Sequence, residues 1–140
     1  MKKNAVIETF QRIQASARSM PQVRVVSLEI GQVARQGDIY IERVESIEGK
    51  GKAITSRQLA PGTSKGSRHI VDESPGVTLW ESKPTLKGKT AFQVGAAIQA
   101  KGGFSITHPE HAWMKIATNG IEFFQVWFQA DFMRKERTKD

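Results

Sequence analysis

The chain reads as a mainly β protein: a single barrel or sandwich, the cupin or jelly-roll arrangement being one form of it, with an amphipathic helix at the N-terminus. Three observations predict this. From Val23 onward apolar and polar residues alternate at period two. Turn-forming residues (Gly, Pro and Asn) punctuate the chain about every ten residues. Only one stretch, residues 5–19, has helical spacing.

In that stretch Val6, Phe10, Ile13 and Ala17 follow a 4-3-4 spacing that lines one face, while Arg12, Gln14 and Arg18 fall largely elsewhere. Asn4 suits the N-cap and Pro21 marks the stop, so residues 1–21 form the helical segment. Such a helix must cover a sheet or a neighbouring subunit, and the sheet is expected. Residues 22–133 make up the β domain. Val26, Leu28 and Ile30 alternate with Val25, Ser27 and Glu29. Arg35-Gln36-Gly37-Asp38 reads as a turn, in which Gly37 supplies backbone freedom and Asp38 bonds nearby amides. Ile39 and Ile41 then alternate with Tyr40 and Glu42. Further strands are expected at 53–59, 68–71, 77–81, 92–99, 104–107, 113–117 and 121–132. Gly-Lys-Gly at 49–51, Pro61-Gly62, Pro75-Gly76, Lys101-Gly102-Gly103 and Asn119-Gly120 stand between them. Asn119-Gly120 is the sharpest hairpin signal, predicted to join 113–117 to the long last strand. On that strand Ile121, Phe123, Gln125, Trp127 and Gln129 share one face, and Glu122, Phe124, Val126, Phe128 and Phe132 mostly share the other. Aromatics on both faces suit a central strand or one that meets another subunit. The tail at 134–140 is charged and solvated.

A chain of 140 residues suits one domain with its own core. It holds no cysteine, which removes disulfides, thiolate metal sites and cysteine nucleophiles together. No apolar run approaches the ~20 residues of a membrane span, and the N-terminus is a poor secretory signal. An intracellular setting, host cytoplasm or virion, is expected, with no membrane partner.

The formal charge of +7 is unevenly placed. Residues 49–71 carry Lys50, Lys52, Arg57, Lys65 and Arg68 without a carboxylate, and 83–109 carry Lys83, Lys87, Lys89 and Lys101 likewise. Both stretches are rich in Gly, Ser, Thr and Pro, so the cations belong on loops able to hold nucleic acid, a phosphate ligand or an acidic protein surface. Lys50, Lys52, Arg57, Lys65, Arg68, Lys87 and Lys89 are the candidate anion-binding residues. A solubilising rim is the alternative. Trp80 and Phe92 are aromatics within or near these stretches.

All three histidines sit in two polar clusters, Gly66-Ser67-Arg68-His69 and Thr107-His108-Pro109-Glu110-His111. Pro109 favours a type I turn that brings His108 and His111 toward each other. Imidazole is the side chain most easily recruited as acid, base or ligand near neutral pH. His69, His108 and His111 are thus the candidate catalytic residues, general acid and base on a phosphodiester with Arg68 or Lys65 steadying charge. With Glu110 they form a candidate ligand set for a divalent metal, although the customary cupin spacing is absent. The simpler alternative is structural, with His108 and His111 tying a hairpin corner through backbone groups. No cofactor is the first expectation. Ser67 has no nucleophile elbow, and no Walker or Rossmann fingerprint occurs.

Several elements together resemble a family of short, largely uncharacterised bacterial and phage proteins. They are Arg35-Gln36-Gly37-Asp38 opening into Ile39-Tyr40-Ile41, the Gly66–His69 loop, the His108–His111 pair, and Val126-Trp127-Phe128-Gln129-Ala130-Asp131-Phe132. The resemblance spans roughly residues 33 to 140. Ser67 stands where such proteins usually carry a first loop histidine. The resemblance implies a β domain and no settled activity. With the charge pattern it leads to one expectation: a non-enzymatic binding or assembly protein of phage or mobile-element type engaging an anionic partner. A cupin-like histidine-dependent metal protein or enzyme is the runner-up. A virion or capsid accessory that forms a homo-oligomer is the third.

Overall fold

The computed structural model describes residues 23–59, 69–72, 74–131 and 136–137. The expected helix at 5–19, the loop bearing Lys65 and Arg68, Phe132 and most of the charged tail lie outside the described residues. Among those described the chain forms strands and no helix. They are β1 (Val23–Ser27), β2 (Val33–Gln36), β3 (Ile39–Val44), β4 (Ala53–Ile54), β5 (Ile70–Val71), β6 (Val77–Trp80), β7 (Phe92–Lys101), β8 (Phe104–Thr107), β9 (Trp113–Ala117), β10 (Ile121–Asp131) and β11 (Glu136–Arg137).

They build two sheets. Sheet A runs β1-β9-β8-β5 and sheet B runs β2-β3-β10-β7-β6-β4, with β11 pairing β10. Every pair is antiparallel except β1–β9. Period-two alternation sends one side of each sheet inward. Phe104, Ile106, Met114 and Ile116 from sheet A meet Ile39, Ile41, Leu79, Ile98, Phe124 and Val126 from sheet B in one buried cluster. Phe104 and Phe124 meet edge-on across it, ring centroids 5.5 Å apart. Each such side chain contributes about 1.5–3 kcal/mol by leaving water.

The architecture is therefore a sandwich and not a closed barrel. The connections explain why. Lys101-Gly102-Gly103 and Asn119-Gly120 each carry the chain from one sheet to the other, so β9 and β10 do not pair. This corrects the hairpin expected at Asn119-Gly120. The left-handed backbone at Gly120 (φ 79°) serves a corner instead. Glu122 holds that corner by accepting from the Asn119 amide at 2.8 Å, and it lies 3.6 Å from Arg43 Nε.

Two other sequence expectations shift. The alternation through Ile30 ends at Leu28, because a turn closed by the Gln32 amide on Glu29 O leaves Ile30 exposed. Arg35-Gln36 is the end of strand β2 rather than part of a free turn, and only Gly37 and Asp38 link it to β3. The expected strand at 53–59 shortens to Ala53–Ile54 with an isolated bridge at Gln58. The last strand is central, between β3 and β7. Its outward Gln125 and Trp127 are buried because the segment after β6 crosses over them: Ser82 Oγ donates to Gln125 Oε1 at 2.8 Å and Lys89 lies 5.3 Å over the Trp127 ring, whose Nε1 donates to Glu42 of β3 at 3.1 Å.

Candidate functional site

The β5–β8 register brings the two histidine clusters together. Ile70 pairs with Thr107, so His69, one residue before β5, lies beside His108, one residue after β8. The turn through Pro109 then returns His111 to the same place. The His69 and His108 ring centroids are 4.5 Å apart, as are those of His108 and His111; His69 and His111 lie parallel at 6.2 Å. His69 and His108 are buried and His111 is half-buried.

The β2–β3 turn supplies the rest. Gln36 and Asp38, both buried, flank Gly37 and grip His69 from two sides. His69 Nδ1 lies 2.8 Å from Gln36 Oε1, and Nε2 lies 2.8 Å from Asp38 Oδ1. The Gln36 amide nitrogen donates to Ile106 O and Ala112 O, each at 2.9 Å, so its oxygen must face the imidazole. Nδ1 therefore carries a proton, and the Nε2–Oδ1 contact must also hold one. The result is an imidazolium–carboxylate pair or its neutral equivalent, closed off from water. Asp38 thus bonds a side chain 31 residues away. Its place immediately before β3, whose Ile39 and Ile41 are fully buried, was the one sequence signal for this role; Gln36 offered none.

Both His69 nitrogens are engaged, and His108 Nδ1 accepts from the Glu110 amide at 3.0 Å, which ties the corner through the backbone. Glu110 itself is exposed. Among the described residues no group of three or more His, Asp or Glu side chains is placed to hold a metal ion. The histidines proposed as ligands meet as packed rings, with Glu110 outside the packing.

The basic stretches also meet. Gly51 N donates to Glu81 O, Glu81 N to Lys52 O and Lys83 N to Glu48 O, so residues 48–52 run beside 81–83. This brings carboxylates absent from either stretch's own cations into reach. Lys89 lies 3.7 Å from Glu42 and over the Trp127 ring at 5.3 Å. Lys50 Nζ sits 3.8 Å from the Trp80 ring centroid. Across the same sheet Arg35 covers Tyr40 at 5.2 Å, and Tyr40 meets Phe92 edge-on at 5.2 Å. Tyr40, Trp80 and Trp127 all project from the outer face of sheet B, opposite the core. Lys50, Lys52 and Lys87 are exposed. Arg57 differs: half-buried, it donates to Val77 O at 3.2 Å and ties the chain together. A polar groove of about 220 Å³ opens on this face, lined by Ser46, Thr85, Lys87, Lys89, Gln125 and Trp127 among others.

No curated protein and no solved structure matches the chain. One family model does, that of DUF8820, described as a domain of unknown function, and it spans residues 35–129. That span takes in the Gln36–Asp38 turn, all three histidines and the cation-covered aromatics, and it begins after β1. On this match the chain belongs to the DUF8820 family.

Proposed function

We propose that this is a non-enzymatic binding protein, of the phage or mobile-element type its motifs resemble, which holds single-stranded nucleic acid on the outer face of sheet B and the adjoining basic loops. One observation carries the reading: cations from three separate segments (Arg35, Lys50 and Lys89) lie over aromatic rings of one sheet face. Cations track a phosphate backbone, and the exposed parts of the half-buried Tyr40 and Trp80 rings beside them accept unstacked bases, while buried Trp127 serves only to seat Lys89. Exposed Lys52 and Lys87 extend the charge along the loops. A duplex would use the charge without the rings.

The test is fluorescence anisotropy with labelled single- and double-stranded oligonucleotides of one sequence across a salt series. Single strands are expected to bind more tightly, with log K falling by about 0.7 per phosphate contact for each tenfold rise in salt. Salt-insensitive binding, equal affinity for duplex, or binding only to acidic proteins would each reject the proposal.

A second reading, histidine-dependent chemistry, has one observation in its favour: His69 joins His108 and His111 from a distant segment. Half-buried His111 would be the ring that meets a substrate. Elemental analysis of the purified protein tests the metal form of this reading, since stoichiometric metal would favour it over nucleic-acid binding.

A further inference from the structure

β6 covers only part of β7. Val77–Trp80 pair with Ala97–Ala100, so beside Phe92–Ala96 no strand among the described residues continues β6. A bulge falls in this stretch: Ala97 lies opposite Gln125 and Val94 opposite Trp127, which leaves Gly95 and Ala96 to share Val126. Gln125 Nε2 fixes the bulge by donating to Gly95 O at 3.1 Å and Val126 O at 3.0 Å, and Ala96 N donates to Leu59 O at 3.3 Å. The notch left there is a cavity of about 440 Å³, of a size that suits a small ligand. Ile54, Leu59, Val94 and Ala96 give it apolar walls, while Ser56, Glu81 and Ser82 bring polar groups. Among the described residues no lysine or arginine lines it, so a phosphate finds no partner inside.

The polar groups have distinct roles. An ionised Glu81 carboxylate can only accept. Ser82 Oγ gives its proton to Gln125 Oε1, so toward the cavity it too only accepts. Ser56 Oγ accepts from the Gln58 backbone amide at 3.1 Å and keeps its own proton to give. We propose, on the single-strand reading above, that this notch takes one nucleobase bearing an exocyclic amine, cytosine or adenine, from the bound strand. The flat ring lies against the apolar walls, the amine donates to Glu81 and Ser82, and a ring nitrogen accepts from Ser56. Uracil and thymine carry a carbonyl oxygen where cytosine carries its amine, which would set acceptor against acceptor. The position suits the course of the strand. Glu81 follows Trp80, whose ring Lys50 covers, and exposed Ser56 and Glu81 mark the mouth.

The test compares oligodeoxycytidine with oligodeoxyuridine of equal length, by fluorescence anisotropy on the full chain at neutral pH and one salt concentration. The two share a backbone and differ only along the edge of the base. The wild-type protein is expected to hold the cytosine oligomer about tenfold more tightly. Glu81→Ala is expected to cut that ratio below about threefold, and Glu81→Lys, which puts a donor where the acceptor was, to reverse it. Glu81 is exposed, so both variants fold, and matching urea midpoints check that. Equal affinity of the wild type for the two oligomers would overturn the base pocket and leave single-strand binding standing. A cytosine preference that survives both substitutions would overturn it as well. If neither oligomer binds, the nucleic-acid reading falls and the pocket falls with it.

Discussion

Asp38 Oδ1 lies 2.8 Å from His69 Nε2, both side chains sealed from solvent, while the other His69 nitrogen is held by Gln36. A proton must occupy that contact, since two bare lone pairs would repel there. The site is therefore sensitive to what replaces the carboxylate and not only to its removal.

Asp38→Ala strands a buried ring nitrogen and opens a void, at a cost of about 3 kcal/mol. Asp38→Asn offers an amide N–H to a neutral Nε2 and should cost less than half as much. Urea unfolding of the two variants decides the matter. Equal losses would mean that the carboxylate charge, and not the hydrogen bond, holds His69.

Gln36 offers the complementary case. Its amide nitrogen bridges Ile106 O and Ala112 O, joining the β2–β3 turn to both ends of the histidine corner. Gln36→Glu is almost isosteric, but it turns one oxygen toward two carbonyl acceptors. It is expected to destabilise by about 2–3 kcal/mol and to lower the melting temperature well beyond what Gln36→Met does. If Gln36→Glu melted at the wild-type temperature, Gln36 could not be donating its amide to those two carbonyls.

Gly76 precedes β6, and a Cβ there would come 2.6 Å from Lys101 O. Gly102 shares its positive φ but has nothing within 4 Å of that position. Alanine at Gly102 bears only the backbone cost, about 1 kcal/mol. Alanine at Gly76 must also push β7 away, adding about 1–3 kcal/mol. Chemical denaturation of the two variants should separate them clearly, and parity would show that β6 and β7 are free to part.

The strands were legible because alternation and turn chemistry are local. The limits expected for β9 are those observed, and the aromatics on both sides of β10 suit a central strand or one that meets another subunit, of which the fold shows the first. What failed was non-local. Asn119-Gly120 has hairpin chemistry, yet whether two strands pair or part into different sheets depends on where their apolar faces find partners. The approach of His108 to His111 follows from three residues and a proline. The arrival of His69 follows from the β5–β8 register, which no local spacing contains. Gln36 and Asp38 looked like turn residues because only the folded sheet order shows that a histidine lies between them. The basic stretches looked free of carboxylates because Glu42, Glu48 and Glu81 approach them from outside.

That regrouping sorts the cations by role. Lys50, Lys52 and Lys87 reach solvent, while Lys89 is shared between Glu42 and Trp127 and Arg57 is spent on Val77 O. Alanine at Lys50 or Lys87 should leave stability within about 0.5 kcal/mol of wild type. For an anionic single strand, each should also shrink the salt slope by about 0.7. Arg57→Ala should do the reverse, costing about 1 kcal/mol of stability with the salt slope unchanged. Lys89→Ala should weaken binding less than Lys50→Ala, because part of its charge already answers Glu42. Anisotropy and urea melts on the same four variants test the division. If Arg57→Ala altered the slope as much as Lys50→Ala, binding would not be confined to the exposed lysines.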